Sequence, residues 1–206
     1  MALLSDLIPY ITNGLPMVSN PMCVQQLNRA ARTMCSEALC YKYEYTFNTV
    51  AGQQDYDYVL PANTERVLID YVRYNNEYLK AFSWDRISQE FEDPDKEGSP
   101  NVYAEKIPGQ ISLYPTPVSV EEVKIRLSIM PIMGTDEMDD ALQAQHGQTL
   151  VNGALSYLML MPGKMWTDAQ GGAVYNQLFV QGVDRARTRA RDGSTRRARK
   201  VVYGGL

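Results

Sequence analysis

Val24, Leu27, Ala31, Met34, Ala38 and Tyr41 recur three or four positions apart, the spacing that gathers apolar side chains on one helical face. Asn20-Pro21 opens the stretch, supplying a capping side chain and then a proline in the first turn, where its missing N–H is not needed. A helix is predicted from about Pro21 to Tyr41. Upstream, Leu3 to Thr12 reads as a short amphipathic helix stopped by the turn dipeptide Asn13-Gly14.

From Tyr43 the period falls to two. Tyr43, Tyr45, Phe47 and Thr49 alternate, and after a turn containing Gly52 so do Tyr56, Tyr58 and Leu60, which predicts a hairpin. Val67, Ile69, Tyr71 and Arg73 form another strand, turned by Asn75-Asn76 into Tyr78–Phe82. Trp84 to Phe91 suits one or two helical turns, and Asp93–Pro100 reads as loop. Val102-Tyr103 and Ile111–Tyr114 flank a Pro108-Gly109 turn as a second hairpin, and Val123, Ile125, Leu127 and Ile129 complete the alternating region.

Helical spacing then returns. Thr135-Asp136 is expected to cap a helix behind Glu137, Asp139 and Asp140, acids suited to a positive helix end. Leu142, His146, Leu150, Ala154, Leu155 and Leu158 line its face as far as Pro162-Gly163. Thr167 is expected to cap a last helix carrying Val174, Leu178, Val183, Ala186 and Ala190, ended by Gly193. The predicted class is α+β: an antiparallel helical bundle core (1–42 and 132–193), an inserted, mostly antiparallel β domain (43–131) and an extended C-terminal arm (194–206).

Charge changes this picture most at the C-terminus. The chain nets −4, but Arg185 to Lys200 holds eight basic residues against Asp184 and Asp192, a local net of +6, while residues 1–183 net −10. An acidic body with a basic tail suggests a tail that docks elsewhere. On the last helix Arg185, Arg187, Arg189 and Arg191 point to different sides, and the helix dipole accounts for Arg187 to Arg191 as a solvated end. It does not account for Arg196, Arg197, Arg199 and Lys200, which lie past the helix. With Val201, Val202, Tyr203 and Leu206 following, the arm alternates charge with apolar anchors, favouring an acidic protein groove over phosphate. The alternative is a nucleic-acid-binding module acting through the same tail.

Catalytic chemistry is sparse. His146 is the only histidine and is expected to be a half-buried polar side chain. No G-x-S-x-G, Walker loop, G-x-G-x-x-G or H-E-x-x-H occurs, so neither enzyme activity nor a cofactor is expected. The cluster Asp136, Glu137, Asp139, Asp140 is better explained as a helix start than as a metal site. Asp93 to Gly98 imitates an EF-hand opening, but Ala104 stands where its twelfth position needs a carboxylate. Cys23, Cys35 and Cys40 show no C-x-x-C spacing and are expected as buried or free thiols of a reducing compartment. No apolar run nears the roughly 20 residues of a membrane span. Asp6 before any basic residue argues against a secretory leader. The tyrosines of the β region sit among acids, which favours packing and protein contacts over base stacking.

Three ordered stretches carry a resemblance: Tyr45-Thr46-Phe47-Asn48-Thr49-Val50-Ala51-Gly52-Gln53-Gln54-Asp55-Tyr56 with Leu60-Pro61, then Gly98-Ser99-Pro100-Asn101-Val102-Tyr103, then Ile111-Ser112-Leu113-Tyr114-Pro115-Thr116-Pro117. The chain resembles the head-to-tail adaptor (head completion) proteins of short-tailed phages. Cys40-Tyr41-Lys42-Tyr43 stands where that family often carries an aromatic-rich segment. The resemblance implies a virion protein at the head–tail junction, assembled in the host cytoplasm as a dodecameric ring, with packaged DNA passing through the lumen unbound. It implies portal protein as partner of the arm, through Arg196, Arg197, Arg199, Lys200, Val201, Val202, Tyr203 and Leu206. It also implies a tail nozzle or tail-tube protein facing the β domain at Tyr56, Tyr58, Tyr78 and Trp84.

Overall fold

The computed structural model describes residues 2–90, Asp93 and 96–193. In chain order, β1 (Ala2–Leu3) leads through a 3-10 turn, Leu4–Leu7, into α1 (Ile8–Thr12) and α2 (Asn20–Ala38). Then come β2 (Lys42–Asn48), β3 (Asp55–Asp57), β4 (Thr64–Tyr74), β5 (Glu77–Tyr78), β6 (Lys80–Ser83) and α3 (Trp84–Glu90). They are followed by β7 (Glu97–Gly98), β8 (Val102–Ile107), β9 (Gln110–Tyr114), β10 (Thr116–Pro117), β11 (Glu122–Pro131) and β12 (Glu137–Met138). The last elements are α4 (Asp140–Met159) and α5 (Ala169–Asp192). The class is mixed α and β, with five α-helices among the described residues and several antiparallel strand pairs. Two compact units emerge: Met1–Cys40 with Pro131–Leu206, and Tyr41–Met130.

In the first unit α2, α4 and α5 pack on one another. The α2 stripe buries Leu27, Ala31, Met34 and Ala38, as its period predicts, while in the first turn Cys23 is buried and the expected Val24 only half-buried. Its ends differ from expectation. Ser19, in extended conformation, is the residue before the first turn, and Asn20 is already helical. Leu39 adopts the left-handed conformation (φ 51°) and stops the helix short of Tyr41. Tyr41 instead accepts a strand-type hydrogen bond from the Ile129 N–H.

Both later caps also move. Residues 137–138 are extended and pair with β1, and Asp136 accepts from the Ser5 N–H and hydroxyl, each at 2.8 Å. The α4 cap therefore falls to Asp139, which accepts from Ala141 and Leu142. Thr167 is occupied by the Met161 carbonyl, and Asp168 caps α5. Close packing depends on glycine. A Cβ on Gly153 would lie 2.8 Å from Phe179 of α5 and 2.9 Å from Ala30 of α2. The buried face of α5 is therefore Gly172, Phe179, Val183 and Ala186, while Val174 and Leu178, expected in the stripe, are 59% and 43% exposed. The Asn28 amide holds the returning chain, donating to the Ile132 and Thr135 carbonyls and accepting from the Gly134 N–H.

The second unit contains two four-stranded sheets, ordered β2-β11-β4-β5 and β3-β9-β8-β6. The hairpin expected between Tyr43–Thr49 and Tyr56–Leu60 does not form. Tyr45 pairs with Ile125 and Tyr56 with Ile111, in different sheets. The intervening loop is tied elsewhere: Thr49 bonds Glu121 and Ser119, and the Tyr56 hydroxyl reaches Val50 and Gln53. Strand pairing ends at Asp57, before Tyr58 and Leu60. The Asn75-Asn76 turn does form, both asparagines at positive φ, but the expected strand Tyr78–Phe82 splits. Tyr78 pairs with Arg73, whereas Lys80–Ser83 run parallel to β8 in the other sheet. The supposed loop 93–100 contains β7, paired parallel with β10. The 108–109 hairpin joins β8 and β9 as expected.

Val72, Tyr74, Val123, Ile125 and Leu127 of one sheet share a core with Tyr103, Ile111 and Leu113 of the other. The opposite face of the second sheet buries Val102, Ala104 and Tyr114 with Ile87 of α3. Packing on both faces explains why β8 buries three consecutive residues, Val102 to Ala104, and β9 four, Ile111 to Tyr114.

Candidate functional site

The portal-binding residues expected in the arm, Arg196, Arg197, Arg199, Lys200, Val201, Val202, Tyr203 and Leu206, lie outside the described residues. What is described is the helix that leads to them. The four arginines of α5 separate into two pairs with different company. Arg187 donates to Asp184 at 2.9 Å and to the Glu37 carbonyl at 3.0 Å, and Arg191 meets Asp192 at 3.2 Å. Arg185 and Arg189, one turn apart, have no acidic partner among the described residues.

These two border a cleft between α4 and α5 of about 690 Å³, lined also by Gln145, Asp184, Thr188, Asp192 and Gly193. An adjoining recess of about 210 Å³ shares Gln145, Arg185 and Arg189 and adds His146, Thr149, Gly182 and Ala186. Beside the recess α5 approaches α4 closely: a Cβ on Gly182 would stand 2.5 Å from the Thr149 methyl. His146, expected half-buried, is 7% exposed. Burial, and then the charge of Arg189, push its pKa below the ordinary histidine value, so the ring is neutral near pH 7. The sequence singled out both His146 and the arginines, but not that α4 and α5 bring them together. An i,i+4 arginine pair on a capped helix would have been the only local signal.

The remaining candidates are structural. Asp136 and Asp139 bond backbone and Ser5 as described, and no group of three or more histidines, cysteines or carboxylates suited to a metal occurs among the described residues. Cys23, Cys35 and Cys40 are free thiols; a hydrogen bond with Cys40, reinforced by burial, raises the Cys35 pKa well above the ordinary thiol value, which makes it a poor nucleophile. Asp93 accepts from the Tyr114 hydroxyl through its carbonyl.

Of the four aromatic residues expected on the partner-facing side of the β unit, two are core. Tyr56 and Tyr58 are 5% and 6% exposed, and the Tyr58 hydroxyl bonds Glu105. Both tyrosines belong to the core shared by the two sheets of the unit. Tyr78 is 65% exposed. It stacks edge-on with Tyr71 at 5.2 Å, and the Arg73 guanidinium stands 4.8 Å over its ring. Trp84 is partly exposed, with the Lys106 ammonium 4.6 Å from its ring centroid.

No helix among the described residues is long and apolar enough to cross a membrane. Comparison with curated proteins finds no match. The model of one protein family, described as SU10 adaptor protein, matches residues 3–201. That span takes in both units and reaches into the arginine-rich segment, and the chain belongs to the SU10 adaptor protein family.

Proposed function

We propose that this chain is a structural, non-enzymatic adaptor of a phage virion that joins the portal to the tail as a ring of copies and completes the DNA exit channel. The observation that carries this reading is the family match over residues 3–201, which leaves almost no part of the chain for a separate catalytic domain. Residues 1–42 and 132–193 serve as the ring-forming helical body, 43–131 as the tail-facing insert and 194–206 as the portal-binding arm. Tyr78 and Trp84 are the positions of the insert available to a tail nozzle or tail-tube protein, whereas Tyr56 and Tyr58 belong to the core shared by its two sheets. The net −10 of residues 1–183 keeps packaged DNA from adhering to the lumen, since like charge disfavours contact. Assembly takes place in the host cytoplasm, each arm becoming ordered against an acidic groove of the portal.

Deleting residues 194–206 and measuring binding to portal protein and to duplex DNA at moderate salt tests the reading. Loss of portal binding, with little DNA affinity in the intact chain, is expected. A steep salt-dependent DNA interaction that vanishes with the deletion would instead establish the nucleic-acid-binding alternative. Images of the chain mixed with portal give the ring and its copy number.

A further inference from the structure

Six charged side chains crowd the last three turns of α5, and four of them cancel. Arg187 holds Asp184 and Arg191 holds Asp192, so the two acids bordering the α4–α5 cleft are already compensated. Arg185 and Arg189 are not, and both open onto the cleft and its recess. The site therefore carries two unmatched guanidinium groups, each a planar fork suited to bidentate capture of a carboxylate. Gln145 and Thr188 add neutral hydrogen-bonding groups at the same opening. The negative end of the α5 dipole explains why arginines are tolerated there. It does not explain a concave space in front of this pair only.

We propose that the α4–α5 cleft receives an aspartate or glutamate side chain from the same acidic protein surface that takes up residues 194–206, with Arg185 and Arg189 as its anion-holding pair. The inference rests on the adaptor reading, and it adds a second, separately testable contact to the arm. Gly193 lines the cleft and residue 194 follows it directly in the chain, so the cleft lies at the root of the arm. A partner that engages the arm passes this opening first. Duplex DNA is the poorer occupant. Its phosphates repeat along a rod, so a duplex seated here would carry further charges over Asp184, Asp192 and a body of net −10, whereas one carboxylate side chain fills only the cationic spot.

The sole histidine makes the site observable. His146 lines the recess, where Arg185 and Arg189 are the only other titratable groups among the described residues. A carboxylate bound to Arg189 offsets the charge that lowers the histidine pKa, so occupancy raises it. Hexaglutamate titrated into the full-length chain at low salt, followed by NMR of the His146 ring protons, should shift those resonances and raise their titration midpoint. Arg185→Gln/Arg189→Gln should weaken the peptide by about tenfold or more, the loss expected for charge-assisted hydrogen bonds. Should that variant melt early, Arg185→Lys/Arg189→Lys keeps the charges, loses the forks and should weaken binding by a few-fold. A His146 signal indifferent to the peptide, or equal affinity in the glutamine variant, overturns the proposal. A short DNA duplex that moves His146 more strongly than hexaglutamate overturns it in favour of phosphate. A parallel full-length variant, Arg196→Gln/Arg197→Gln/Arg199→Gln/Lys200→Gln, separates cleft from arm. If it alone silences the histidine response, the cleft assignment is wrong while the arm reading stands. If it loses portal binding yet keeps the histidine response, both stand.

Discussion

The β unit and the helical unit handle positive charge in opposite ways. In the β unit most described cations are committed internally, with Lys80 and Lys96 exposed to solvent. Lys42 sits 2.8 Å from Asp70 and also bonds Ser128, Arg66 pairs with Glu105, and Lys124 meets Glu122 at 2.9 Å. Arg73, Arg86 and Lys106 lie over the rings of Tyr78, Phe82 and Trp84. Even the cavity beside Tyr58, about 540 Å³, has as its cation an Arg66 already taken by Glu105. On α5, by contrast, alternate arginines are paired and the other two face an open cleft. Charge that is matched within a fold contributes to its geometry; charge left unmatched beside a concavity is available to something else.

The sharpest way to break the contrast is to disturb the packing that creates the cleft. Gly153→Val places bulk where a Cβ already meets Phe179 and Ala30 and should cost about 3 kcal/mol, read as loss of helical signal in thermal melts. In the β unit the corresponding test is Asp70→Ala. It leaves the Lys42 ammonium without its carboxylate and the Ser128 hydroxyl without its acceptor, both partly or fully buried, and should cost about 2 kcal/mol in urea titration. Asn28→Ala removes three hydrogen bonds that hold residues 132–135 against α2; roughly 1.5 kcal/mol is expected. Equal losses from Asp70→Ala and a mutation of free Arg185 would erase the distinction drawn here.

Acid provides a gentler probe. His146 has its folded-state pKa lowered by burial and by Arg189. As pH drops through the ordinary histidine value, about 6.5, the unfolded chain takes up a proton that the folded chain refuses. Stability is therefore lost as pH falls from that value towards the folded pKa, and then levels. Melting temperatures across this window should show a component that His146→Gln removes. The smallest effect belongs to Arg185→Gln/Arg189→Gln, which should change stability by no more than about 0.5 kcal/mol because neither side chain has an acidic partner among the described residues. A larger drop would mean the pair is structural.

Much of this was legible from spacing alone. The α2 stripe, the 75–76 and 108–109 turns, the β11 alternation and the Gly193 stop are all local signals, and each appears where its residues require. The misplacements have a common cause. Asn20, Thr135-Asp136 and Thr167 are all plausible caps by residue type; Asp136 and Thr167 give way to Asp139 and Asp168 because other parts of the chain engage them. Asp136, for example, is diverted to Ser5, which lies 131 positions away. Likewise, alternation at Tyr56 and Tyr58 announces a half-buried face without saying which half.

Residue order by itself determined where the backbone changes period, the separation of an acidic body from a basic end, and the membership that follows from motifs spread along the chain. Such properties are local or additive, so they survive without coordinates. Tertiary structure alone decided which strands pair, sending β2 and β3 to different sheets. It also decided that Arg185 and Arg189 remain unmatched beside His146. Pairing and charge compensation are matters of distance across space, and sequence separation does not encode that distance.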